Sequence, residues 1–234
     1  MKHFSFDLWL TIIKSNPLFK AKRVTFFYKH YNFSNHSEKE IKSVFRKVDL
    51  MCNQVNESVG FNLDTKEMYL MVLYLLNENS IDYNKIDVNK LYQEMENLVL
   101  SYPPVILNQK IVPILRVLKE KNKTVSLLSN TGFIEGKTIN KILKKIDLKK
   151  YFDFEIYSDE QNLSKPNQRL FEIVFKKTCE IHNNSLETKD IMHIGDNIIA
   201  DIQGAQNYGM STFHVSDNHS FEKLYSYAKD LQPS

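Results

Sequence analysis

Short apolar runs alternate along this chain with longer stretches in which apolar residues recur every third or fourth position, and that alternation predicts most of its elements. Five runs have the unbroken apolar character of strands covered on both faces: His3 to Phe6, Thr124 to Leu128, Phe154 to Tyr157, Ile191 to Ile194 and Thr212 to Val215. Helical spacing follows in the segments between the later runs. One helix begins near Asn108 and carries Ile111, Ile114, Leu115 and Leu118, with Pro113 confined to its first turn. Others are expected over Ile134 to Ile146, Gln168 to His182 and Ile198 to Tyr208. Strands and helices in this order call for right-handed crossovers, and so for an α/β fold with a Rossmann-like open parallel sheet.

The first run is separated from the second by far more chain than a crossover needs, so that interval requires a packed unit of its own. We place this all-α unit at residues 16–100, with 1–15 and 101–234 forming the α/β part. Ser37-Glu38-Lys39-Glu40 and Asp64-Thr65-Lys66-Glu67 both have the form of a capping box. Behind them Ile41, Val44, Phe45 and Val48, then Met68, Met71, Val72 and Leu75, repeat at helical steps. Tyr102-Pro103-Pro104 marks the return, because tandem prolines favour extended backbone and end a helix.

Composition narrows the function classes. With 42% hydrophobic and 25% charged residues the 234-residue chain is an ordinary globular one. A net charge of +3 is spread over several amphipathic segments, without the basic stripe that neutralises a nucleic-acid backbone. No apolar run is long enough to span a bilayer, the longest being about Met68 to Leu76, and the amino terminus has no signal-peptide pattern. The two cysteines, Cys52 and Cys179, lie far apart in apolar helical patterns, as free thiols of a reducing compartment do. Cytoplasm is the expected location, a small molecule the expected partner.

The candidate chemistry sits at strand ends, where ligands bind in open parallel sheets. Asp7 follows the first strand. Ser129-Asn130 follows the second, as a turn or as an anion site built from a hydroxyl and neighbouring N–H groups. Lys165 is held out of helical backbone by Pro166. Gly195-Asp196 and Asp201 follow the fourth strand. One such aspartate is explained as a helix cap, but two converging carboxylates together with Asp7 make a hard, oxygen-rich site suited to Mg2+.

Taken in order, Asp7 with Thr11, Ser129-Asn130, Lys165-Pro166 and Gly195-Asp196 with Asp201 resemble the haloacid dehalogenase-like (HAD) hydrolase superfamily. The resemblance implies that the inserted helices are a cap and that Asp7 is a nucleophile forming an aspartyl intermediate. It makes Thr11, Ser129, Asn130 and Lys165 the substrate-binding set, with Lys165 also catalytic. Asp7, Asp196, Asp201 and the main-chain carbonyl of Trp9 become the Mg2+ ligands. A phosphatase acting on a small phosphorylated metabolite is the implied activity.

Trp9 is the departure. The family's phosphatases carry there an aspartate that protonates the leaving oxygen, and indole has no proton to exchange at neutral pH. Leu10 also stands where the family has glycine. Halide departs without a proton, so a 2-haloacid dehalogenase is the alternative, with Arg23 or Arg46 as candidates for a substrate carboxylate. A HAD-fold binding protein weakened in catalysis is the third reading.

Overall fold

The structure is a computed structural model and describes residues 1–78 and 80–233. Strands β1 (His3–Phe6), β2 (Ile13–Lys14), β3 (Val105–Ile106), β4 (Thr124–Ser129), β5 (Phe154–Tyr157), β6 (Ile191–Gly195) and β7 (Ser211–His214) form two sheets. The larger is parallel throughout, in the order β5-β4-β1-β6-β7, so β1 is central and β4 and β6 flank it. All five sequence-predicted strands are in it, with ends shifted by no more than a residue. The sequence pattern did not anticipate the antiparallel pair β2–β3, which joins the two points where the chain leaves the sheet and returns.

Among the described residues, four α-helices occupy the interval: α1 (Pro17–His30), α2 (Glu38–Val59), α3 (Thr65–Asn77) and α4 (Val88–Ser101). Their start signals work as the sequence suggests. Asn16 caps α1 ahead of Pro17, and both capping boxes close: Ser37 with Glu40 on α2, Asp64 with Glu67 on α3. Helix α2 ends at Gly60 in the left-handed conformation (φ 72°), where a Cβ is strained. Phe27, Ile41, Phe45, Val48, Met68, Val72 and Leu91 make a core for the bundle.

The remaining helices, α5 (Ile111–Glu120), α6 (Gly136–Lys145), α7 (Ser158–Gln161), α8 (Gln168–Ile181), α9 (Gly204–Asn207) and α10 (Asn218–Asp230), surround the sheet. Phe4 and Phe6 pack with α5 and α10 on one face; Leu128, Leu170, Phe171 and Val174 pack on the other. That second face also carries a buried polar file. His3 bridges the hydroxyls of Thr124 and Ser126 at 2.8 Å each, and His193 meets the Ser5 hydroxyl at 3.0 Å. Pairing inside the file is what makes its burial affordable.

One helix differs from expectation. Ile198 to Tyr208 opens as a π-helical turn (Ile198–Gln203) before α9. The Asn197 side chain caps both Ile199 N (2.9 Å) and Ala200 N (3.0 Å), and the widened turn brings Asp201 back so that Oδ2 accepts from Asn197 N at 3.0 Å.

Candidate active site

Because β1 is flanked by β4 and β6, the ends of these three strands deliver Asp7, Ser129 and Asp196 to one edge. Asp7 is buried. Its Oδ1 accepts from Lys165 Nζ at 2.8 Å, while Oδ2 is buried and has no partner. Lys165, itself 1% exposed, donates further to Asp201 Oδ1 at 2.6 Å and to the Leu128 carbonyl at 2.8 Å. Oxygens of Asp7, Asp196 and Asp201 all lie within 4.8 Å of one another.

Electrostatics follow from that crowding. Burial pushes the Asp7 carboxyl up against the opposing pull of Lys165. Burial works against the charge on Lys165, but Asp201 and Asp7 outweigh it and hold the ammonium above its ordinary value. Burial also opposes ionisation of Asp201, yet Lys165 and His193 keep its carboxyl well below the usual range. Asp196 lacks such a partner, and burial together with Asp7 and Asp201 raises it to about 7. Three carboxylates against one ammonium leave a surplus of negative charge.

The other sequence-predicted residues are gathered around the same point, with differences in what they touch. Thr11 is buried and its hydroxyl approaches Asp196 Oδ1 at 3.4 Å. The Ser129 hydroxyl donates to the Asn130 carbonyl at 3.1 Å. Asn130, expected at the substrate, spends its amide on the backbone of Lys165 instead: Oδ1 accepts from Lys165 N at 2.8 Å and Nδ2 donates to Lys165 O at 3.1 Å. Both Asp201 oxygens are likewise engaged, by Lys165, His193 and Asn197 N, so this residue stands behind the other two carboxylates. Trp9 is half-buried against the sheet core. Leu10 takes the left-handed conformation (φ 61°) that a glycine would adopt freely.

Gly195 is required by its neighbour in space. A Cβ built there would stand 2.2 Å from Asp201 Oδ2, so the carboxylate occupies the space a side chain would need.

Sequence reasoning missed three residues. His193 places Nε2 3.3 Å from Asp201 Oδ1, and the alternation of β6 puts it two residues before Gly195. Asn197, adjacent to the Gly-Asp pair, shapes the π turn and donates to Glu57 on α2. Asn62, between α2 and α3, accepts from Ser158 Oγ at 2.7 Å across the seam between bundle and sheet. Only the first two had a signal, their closeness to the motif.

A family profile described as haloacid dehalogenase-like hydrolase matches residues 5–215. The chain belongs to that family. A mouse relative, haloacid dehalogenase-like hydrolase domain-containing protein 3, is 32% identical over 92 residues, 39% of this chain and 33% of that protein. The chain thus spans about a third of this relative's length. Glyceraldehyde 3-phosphate phosphatase of Methanothermobacter thermautotrophicus is 23% identical over 168 residues, 67% of this chain and 71% of the relative. Among solved structures, the HAD-hydrolase YfnB of Bacillus subtilis bound to magnesium superposes with a TM-score of 0.73 at 16% identity, covering 97% of this chain and 98% of that one. The chain therefore has that family's α/β fold. Among its described residues no helix is long and apolar enough to cross a membrane.

Proposed function

We propose that this HAD-like hydrolase is a Mg2+-dependent phosphatase of a small phosphorylated metabolite, working through an aspartyl intermediate on Asp7 and limited to leaving groups that depart without a proton. The state of Asp7 carries the reading: buried, one oxygen held by Lys165, the other without a partner, beside two more carboxylates. The phosphatase named among its relatives and the magnesium bound by YfnB support it.

The donor set fits a hard divalent cation, being all oxygen, crowded and short of positive charge. Asp7, Asp196 and the Trp9 carbonyl would hold Mg2+, with Asp201 anchoring Lys165 behind them. When bound, the ion offsets charge on the phosphoryl oxygens. The chain's own residues do the rest. Lys165 stabilises the ionised form of Asp7, whose carboxylate attacks phosphorus while the leaving oxygen departs with its bonding electrons. Ser129 turns its hydroxyl from the Asn130 carbonyl to a phosphoryl oxygen, and Thr11 orients Asp196. Water then hydrolyses the aspartyl phosphate and its proton passes to solvent, since Trp9 offers no base. We read α1–α4, residues 16–100, as a cap over this edge, with 1–15 and 101–234 as the catalytic core.

Trp9 alone would equally suit a 2-haloacid dehalogenase; the Asp196 carboxyl, which halide displacement does not require, favours phosphoryl transfer. Assays of acetyl phosphate, phenyl phosphate and 2-chloropropionate, each with and without Mg2+, separate the two. We expect turnover of the activated phosphates only with Mg2+, and its loss in a folded Asp7→Asn protein. Chloride release without Mg2+ would transfer the assignment to dehalogenation.

A further inference from the structure

His193 is a polar side chain on a part of the sheet face that an apolar one would fill. It is fully buried on β6, and the Phe171 ring of α8 meets it edge to face, with centroids 5.5 Å apart and planes at 89°. Leu128, Leu170 and Val174 pack on the same face. A leucine would pack there with no polar atom to satisfy. The imidazole instead has a partner at each nitrogen: Nδ1 lies 3.0 Å from the Ser5 hydroxyl and Nε2 lies 3.3 Å from Asp201 Oδ1.

These contacts fix where the hydrogens are. A carboxylate has none to give, so Nε2 carries one. The ring is neutral, burial holding its pKa below the ordinary value, so Nδ1 is bare and accepts from the Ser5 hydroxyl. Ser5 thus selects the tautomer that donates to Asp201. The receiving atom, Asp201 Oδ1, is the one that also takes Lys165 Nζ at 2.6 Å, while Oδ2 accepts from Asn197 N at 3.0 Å. Lys165 has the rest of its hydrogens committed to Asp7 Oδ1 and to the Leu128 carbonyl, each at 2.8 Å. A chain of contacts therefore runs from Ser5 through His193, Asp201 and Lys165 to Asp7. It leaves β1 at Ser5 and returns to the end of the same strand two residues on.

A carboxylate turns readily about its own axis. Held only by Lys165 and the Asn197 N–H, Asp201 would be free to turn and to carry the ammonium with it. A second donor at Oδ1, on a ring fixed between Phe171 and Ser5, removes that freedom. We propose that His193 is a positioning residue: its Nε2–H, aimed by Ser5, holds Asp201 so that the Lys165 ammonium stays on Asp7 Oδ1 and the Asp7 carboxylate keeps one orientation. This deepens the phosphatase reading of the Asp7 site and rests on it.

Glutamine and asparagine separate this role from packing. The amide nitrogen of glutamine is as many bonds from the backbone as Nε2, that of asparagine only as many as Nδ1, so glutamine reaches Asp201 and asparagine does not. With Mg2+-loaded protein and acetyl phosphate, His193→Asn should lower kcat about 10- to 100-fold, the cost of a slightly misplaced group, and leave KM within about two-fold. His193→Gln should keep kcat within about three-fold of wild type. A second readout needs no turnover: in protein labelled with 15N-lysine, the Lys165 ammonium resonance should move in His193→Asn and stay in place in His193→Gln. Equal kcat in the two variants overturns the proposal, as does a Lys165 resonance unmoved by His193→Asn. Should His193→Asn not fold, the wild-type imidazole decides, since 15N shifts that put the hydrogen on Nε2 uphold the arrangement and a hydrogen on Nδ1 refutes it. If wild type turns over no acetyl phosphate, the phosphatase reading fails by itself, and the Lys165 resonance alone decides whether His193 positions the ammonium.

Discussion

At the scale of single residues, the proposed phosphatase activity makes position 9 the one expected to govern which substrates turn over. Acid and base assistance contributes about a hundred- to ten-thousand-fold in rate, and an indole supplies neither. Trp9→Asp is therefore expected to raise alkyl-phosphate turnover by about a hundred-fold or more. Trp9 is half-buried, so the lost packing should cost less than the roughly 3–5 kcal/mol of a fully buried aromatic. Circular dichroism establishes that the variant is folded; kcat/KM on an alkyl and an aryl phosphate then gives the answer. An unchanged ratio between the two substrates would show that the missing acid is not what limits the enzyme. Trp9 was visible in the sequence as a departure from the motif, and so was Leu10. What the letters did not carry is that Leu10 adopts a positive φ, since only the packed loop imposes that conformation.

Elements were legible in proportion to how local their causes are. The parallel strands were clear because burial on both faces leaves apolar runs, and α2 and α3 because their capping boxes are contiguous in sequence. The π turn after β6 was not legible. It depends on Asn197 capping two amides and on Asp201 folding back to the Asn197 N–H, choices made in three dimensions. The clamp between the loop after β4 and the one before α8 was hidden for the same reason, since Asn130 and Lys165 lie 35 positions apart. Asn130→Ala removes two hydrogen bonds at once and leaves the Lys165 backbone unpaired in a partly buried setting. We expect a loss of about 1–3 kcal/mol in urea unfolding, together with a fall in kcat as Lys165 shifts from Asp7. Ser129→Ala removes a bond only to its own neighbour and should leave stability nearly unchanged. Equal destabilisation by the two variants would dismiss the clamp.

For the molecule as a whole, two sets of buried groups make stability depend on pH in opposite senses. His3 is buried and its pKa is lowered to about 3, by burial first and then by His182; burial also lowers His193. A histidine whose folded value lies below its unfolded one stabilises fully above about pH 6.5, and that contribution is lost as pH falls below it. For His3 the loss approaches about 5 kcal/mol in the acid limit. Asp196 runs the other way. Its folded value of about 7 exceeds the unfolded one, so between about pH 4 and pH 7 the folded state binds more protons and stability falls as pH rises. Metal binding should cancel this second loss, because the ligand carboxylates must be deprotonated. The rise in Tm on adding Mg2+ to chelator-treated protein is thus expected to be larger at pH 8 than at pH 5, as differential scanning calorimetry can measure. An equal rise at both would remove Asp196 from the metal site.

Gly195 and Asp201 share one volume, and this bears on how such a site is lost over generations. No side chain can enter position 195 until the carboxylate at 201 has moved or gone. Under relaxed selection Asp201 would have to go, or move, before position 195 could drift. A descendant that had abandoned catalysis is therefore expected to betray itself at these two positions before any strand changes. In this chain both residues are still in place.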